Sequence, residues 1–179
     1  MSEIRWKSPN LSPPPDAFLD SPPEGYSLVD LFPEGRRPPK FVSGDPESVR
    51  VRLRYFANAE KTRLQVKAWY GPGAEGPPLH AHGGSIAAVL DESMGGVAWI
   101  QDLRCLAAQI NIQFRKALPL GTLVWVHSWI EKIEGRKIYS CARMESEQGQ
   151  LFAEGTGLFI QLDRESMKKA LGSGTENSS

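Results

Sequence analysis

From Val49 onward apolar and charged residues take turns: Val49, Val51, Leu53 and Tyr55 alternate with Arg50, Arg52 and Arg54, the period of a strand with one wet face. A partner strand follows at residues 64–70. The Gly/Pro-rich stretch 71–78 then separates these strands from a helical segment, residues 83–101, in which Ile86, Leu90, Met94 and Val97 recur on one apolar arc. Four more strands are predicted over residues 103–115, 122–133, 137–145 and 151–162. The turns between them are Pro119-Leu120-Gly121, Glu134-Gly135-Arg136 and Gln148-Gly149. The clearest alternation sets Ile110, Ile112 and Phe114 against Gln109, Asn111, Gln113 and Arg115. Two strands, one long helix and four strands joined by tight turns predict an α+β domain, an antiparallel sheet of about six strands covered by a single helix.

Before residue 49 this pattern is lost. Ten of the fourteen prolines fall before residue 50, in runs such as Pro13-Pro14-Pro15, Pro22-Pro23 and Pro38-Pro39, which remove backbone donors and oppose helix and sheet alike. Residues 1–48 therefore read as an extended arm, residues 49–163 as the domain, and residues 164–179, rich in Gly, Ser, Thr, Glu and Asn, as a fraying tail. Trp6, Phe18, Leu19, Tyr26, Leu28, Val29, Leu31 and Phe32 would let the arm lie on the domain, with a helical turn near Asp16 to Leu19. A flexible linker is the alternative.

Composition narrows the function classes. With 179 residues, 40% of them apolar, the chain can build one well-buried core. Lys plus Arg (21) balance Asp plus Glu (21), and no basic cluster is dense enough for nucleic acid. Cys105 and Cys141 lack C-x-x-C spacing, so they read as packed thiols, with no metal centre. Residues 1–15 carry charges and prolines in place of a signal's apolar run, and nowhere do ~20 apolar residues run together, so a soluble, cytoplasmic protein without a membrane span is expected.

The chemistry concentrates at the helix. Asp91 sits at the edge of the apolar arc, and its neighbours three and four residues away are Ala87, Ala88, Met94 and Gly95. Small residues around a carboxylate admit a substrate; a structural ion pair or hydrogen bond is the alternative. Glu92, sharing a face with Ser85 and Gly96, reads as a solvated acid. At the predicted helix start, Gly83 and Gly84 follow His82, where unpaired N–H groups and the positive end of the macrodipole can receive a carbonyl oxygen becoming an oxyanion. A tight turn into a helix would look the same, and His82 could be a hydrogen-bonded linker residue. His80 reads as a loop histidine. Asp91 lies nine residues beyond His82, about 13 Å along a helix and on its opposite side. One reaction using both therefore requires two chains.

Gly76-Pro77-Pro78, Ala81-His82-Gly83-Gly84-Ser85-Ile86-Ala87, Asp91, the strand from Asn111 to Pro119 and Glu134-Gly135-Arg136-Lys137 together resemble the hot-dog thioesterases of the PaaI type. The resemblance is closest to the thioesterase-superfamily-member-4-like branch and covers residues 49–163. It implies a sheet wrapped around the helix, a homodimer with a continuous sheet, often paired into a dimer of dimers, and hydrolysis of acyl-CoA thioesters with no metal or organic cofactor. It also implies Asp91 as catalytic acid, activating water or attacking the carbonyl itself, and His82 with the Gly83 and Gly84 amides as the turn that polarises that carbonyl. Two features depart from the pattern. Gly76 stands where some relatives have Asn, and Ala107 and Ala108 stand where many have Thr or Ser, leaving Gln109 or Ser93 to orient a water. Arg115, Lys116, Arg136 and Lys137 could meet the phosphates of CoA, or be solvated strand ends. Val89, Met94, Trp99, Trp125 and Trp129 could line an acyl slot, although the last two would equally serve a core. A non-catalytic acyl-CoA sensor and a hot-dog dehydratase or hydratase are the alternative functions. The glycines after His82 favour hydrolysis.

Overall fold

The structure, a computed structural model, describes residues 11–31, 41–43 and 47–163. Residues 1–10, 32–40 and 44–46 of the arm, which include Trp6 and Phe32, and the tail 164–179 lie outside the described residues. The elements in chain order are α1 (Asp16–Asp20), β1 (Tyr26–Val29), β2 (Val51–Asn58), β3 (Arg63–Tyr70), α2 (Gly83–Trp99), β4 (Cys105–Phe114), β5 (Leu123–Glu134), β6 (Lys137–Glu145) and β7 (Leu151–Gln161). All strands join one antiparallel sheet in the order β1-β2-β3-β5-β6-β7-β4.

The sheet has seven strands, one more than the alternation predicts. The extra strand is β1, in which Tyr26 to Val29 pair with Asn58 to Tyr55. Four residues behind two prolines are too short to show a period, and their extended form comes from the edge that β2 offers. The described arm thus belongs in part to the sheet, and its helical turn is present as α1, with Leu19 fully buried. Val49, expected in the strand, precedes it and is 62% exposed. The remaining boundaries move by one or two residues, and the β5–β6 hairpin turns at Gly135, whose φ of 58° suits glycine.

The sheet curls around α2. Ile86, Leu90, Met94 and Val97, the predicted arc, are 0–3% exposed against it, each stabilising the fold by about 1.5–3 kcal/mol. Met94 is therefore core, not slot: its thioether lies over Gly157 of β7. Trp125 and Trp129 also leave the predicted slot. Trp125 packs near Phe56 and Lys67, and Trp129 stacks under Arg63 on the sheet face turned away from α2. Among the described residues no helix is long and apolar enough to cross a membrane.

Candidate active site

The loop before α2 is pinned from both sides, which positions His82. Ala81 N donates to Leu118 O at 2.8 Å, His82 N to Ala74 O at 2.7 Å, and Gly76 N to His80 O at 2.9 Å. His80 itself stays in the loop, its Nδ1 2.8 Å from Pro78 O. His82 is the N-cap of α2, in extended conformation (φ −63°, ψ 133°), and its Nδ1 accepts from Gly84 N at 2.9 Å. Two consequences follow. The Gly84 amide, expected to face a substrate, is already taken. With Nδ1 accepting, the neutral ring carries its proton on Nε2, on the side away from the helix. No hydrogen bond occupies the Gly83 amide among the described residues, and the Phe114 ring lies 3.4 Å from where a Gly83 β-carbon would be.

The Gly76 departure has a steric basis. A β-carbon there would come 2.7 Å from His82 Cα, so no side chain fits while His82 holds this position.

Asp91 lies two turns further along α2. Its Oδ1 is buried and accepts no hydrogen bond among the described residues. Burial raises its pKa above the ordinary 3.8, because no neighbouring charge or donor offsets the lost hydration. It opens into a cavity of about 410 Å³ lined by Ala88, Glu92, Gly95, Gly96, Trp99, Ala107, Phe159 and the arm residues Phe41 and Val42. Of the neighbours expected around Asp91, Ala88 and Gly95 are thus walls of a slot, while Ala87 and Met94 are not. Glu92 is not a solvated acid: it accepts a hydrogen bond from the buried Tyr55 hydroxyl. Ser93, offered as a water-orienting group, is fully buried and donates to Val89 O at 2.6 Å. Gln109 is paired with Leu158, out of phase with Gly155 and Gly157, which face Met94 of the helix. Neither replaces the hydroxyl missing at Ala107.

His82 and Gly84 line a different cavity, of about 400 Å³, with Ser48, Arg50, Glu75, Ser85 and Val89. Within one chain the two halves of the expected site are therefore apart. Both nevertheless border β4. Gly83 sits against Phe114 at one end of that strand, and Asp91 shares its cavity with Ala107 towards the other. β4 pairs with β7 only, and its other edge is open in the described sheet, with Leu106, Ile110 and Phe114 40–57% exposed. The basic residues hold local partners: Arg115 Nε donates to Glu154 at 2.9 Å, Lys116 to Gln150 at 2.8 Å and Arg136 Nε to Gln161 O at 3.0 Å. Lys137 lies exposed at the start of β6. Among the described residues no group of three or more His, Cys, Asp or Glu could hold a metal ion.

Residues 80–153, from the loop before α2 to the middle of β7, match the family model for the thioesterase superfamily. The chain carries a thioesterase superfamily domain. Mouse acyl-coenzyme A thioesterase THEM4 is 40% identical to it over 127 residues, 70% of this chain and 55% of that protein. Two solved structures share the hot-dog fold of this thioesterase domain. The PaaI protein of the E. coli phenylacetic acid degradation operon matches with a TM-score of 0.58 at 14% identity, over 62% of this chain and 80% of that one. The smu.793 protein of Streptococcus mutans bound to acetyl CoA matches with a TM-score of 0.54 at 17% identity, over 56% and 82%. The chain spans about half the length of the curated relatives it matches.

Sequence reasoning missed two features of this thioesterase domain. Phe41 and Val42 line both cavities, yet nothing in the arm's pattern marks them. Tyr55 holds Glu92 across 37 residues of chain, a pairing that no local period encodes.

Proposed function

We propose that the thioesterase domain hydrolyses acyl-CoA thioesters at a site shared by two copies of the chain. The carrying observation is that Gly83 and Asp91 border opposite ends of the open strand β4. A two-fold association through β4 pairs that strand antiparallel with itself and brings the Gly83 end of one copy to the Asp91 end of the other. It also covers Leu106, Ile110 and Phe114 and extends the sheet; a dimer of dimers is compatible with it. Arg115 and Lys116 follow β4 at its Phe114 end, while Arg136 bonds to Gln161, the partner of Cys105 at the other. Antiparallel pairing gathers both basic pairs on one flank, where the CoA phosphates would lie.

In this reading the Asp91 carboxylate takes a proton from water as the water oxygen adds to the thioester carbonyl carbon. The Gly83 amide and the Nε2–H of His82, both from the other chain, donate to the resulting oxyanion. Collapse of the tetrahedral intermediate breaks the carbon–sulfur bond, and the leaving CoA thiolate is protonated from Asp91. The products are the free acid and CoA. Three features support this assignment: the buried, unpartnered Oδ1, the open slot beside it and the kinship with THEM4, named as an acyl-coenzyme A thioesterase.

Release of free thiol from acyl-CoAs, followed with a thiol-reactive dye, tests the activity. Asp91→Asn is expected to lose about a thousandfold in kcat; an unimpaired variant removes Asp91 from the chemistry, and tight binding without thiol release makes the domain a sensor. Subunit mixing tests the shared site. Asp91→Asn and Gly83→Pro chains, each inactive alone, should recover about a quarter of wild-type activity after exchange, because half the dimers are mixed and each of those holds one intact site.

A further inference from the structure

Two cavities open along the outer side of α2, and they have three residues in common: Ala88 of the helix and Phe41 and Val42 of the arm. Both are largely apolar and differ in the polar groups at their edges. The His82 cavity is edged by Arg50, Glu75, Ser48 and Ser85. The Asp91 cavity continues past the carboxylate into Gly95, Gly96, Trp99, Ala107 and Phe159, which suit a hydrocarbon. Its acid at the rim, Glu92, is engaged by Tyr55. A cavity of about 150 Å³ takes a benzene ring, so the Asp91 cavity of about 410 Å³ has room for an aryl or medium-length acyl group.

Described residues of the arm lie beside this slot. Leu31 is 4% exposed, its Cδ1 2.7 Å from where a Gly96 β-carbon would be, so arm and helix meet in direct contact there. Nearer the helix start, the Arg50 guanidinium carbon lies 5.9 Å from the centre of the Phe41 ring, and Val42 packs against the core. Phe41 itself is 78% exposed and takes little part in the core. Phe41, beside the Arg50 guanidinium, thus borders both cavities where they meet.

We infer that Phe41 and Val42, with Ala88, form the wall that parts the acyl slot from the His82 cavity and limit the size of acyl group the domain accepts. This rests on the thioesterase reading and names its specificity element. Cutting back the two arm side chains joins the slot to the His82 cavity of the same chain and roughly doubles the room, whereas a larger residue at position 88 shortens the slot.

The test measures affinity for straight-chain acyl-CoAs from two to sixteen carbons on an Asp91→Asn background by calorimetry, and thiol release from the same series with Asp91 intact. Affinity should rise roughly fourfold per buried methylene until the slot is full, then level off. With Phe41→Ala, and further with Phe41→Ala/Val42→Ala, the plateau should move out by several carbons; with Ala88→Leu it should move in. Thiol release together with a plateau unmoved by all three variants overturns the wall and leaves the hydrolase reading standing. A movable plateau without thiol release keeps the wall and overturns hydrolysis. No binding at any length overturns both.

Discussion

Gly76 touches His82 backbone to backbone: a β-carbon on Gly76 would lie 2.7 Å from His82 Cα and 2.9 Å from its Cβ. The contact sets the N-cap of α2, and through it the aim of the Gly83 amide and of His82 Nε2. Gly76→Ala should therefore displace the turn while leaving the sheet intact. The expected result is a fall in kcat of about a hundredfold, the scale of a misplacement near 1 Å, with a loss of about 1–3 kcal/mol in stability from overpacking. Kinetics and a urea melt separate the two.

Ionised Asp91 sits where burial favours the protonated form. Its folded pKa lies above the unfolded value, so the folded chain binds more protons in the interval between them. Stability from this group is fully present below the ordinary 3.8 and is lost as pH rises through the raised folded value. Asp91→Asn should consequently melt higher than wild type at neutral pH, even as it loses activity. In the wild type, the acid limb of the kcat/KM profile should fall at a pH above 3.8. Thermal melts and a rate profile over the acidic range check both signs.

A lysine on the open edge of β4 should prevent pairing between copies. Ile110, 40% exposed near the middle of that strand, is the position to change. Ile110→Lys is expected to yield monomers in analytical ultracentrifugation, with activity reduced at least about a hundredfold and the far-ultraviolet spectrum unchanged. A fully active monomer would remove the shared site.

Lys67 holds the arm. It is 4% exposed, donates to Phe18 O at 2.7 Å and Ser21 O at 2.8 Å, and lies within 5.5 Å of the ring centres of Phe18, Phe56 and Trp125. These carbonyls end α1, so the ammonium caps that helix and fixes it to β3. Lys67→Met should keep much of the packing but lose both charge-assisted bonds. Limited proteolysis is expected to cut within residues 11–31 at least about tenfold faster, while the sheet remains resistant.

The sequence by itself determined the elements whose signals are local. The two-residue period of β2 and of β4 to β7, the helical arc of Ile86, Leu90, Met94 and Val97, and the glycine turns can all be read from residues a few positions apart, because each repeats the geometry of its own backbone. Asp91 was legible for the same reason: a carboxylate among small residues on an otherwise apolar helix breaks a local pattern. Only the tertiary structure decided that β5 joins β3 while β4 goes to the far edge, that Tyr26 to Val29 add a strand, that Glu92 is held by Tyr55 and that Phe41 and Val42 wall the Asp91 slot. These depend on groups 26 or more residues apart along the chain, whose meeting is settled by which surfaces the curled sheet leaves to be covered. The glycine at position 76 joins the two levels: it is visible in the sequence as a departure, and its reason appears only when His82 is folded against it.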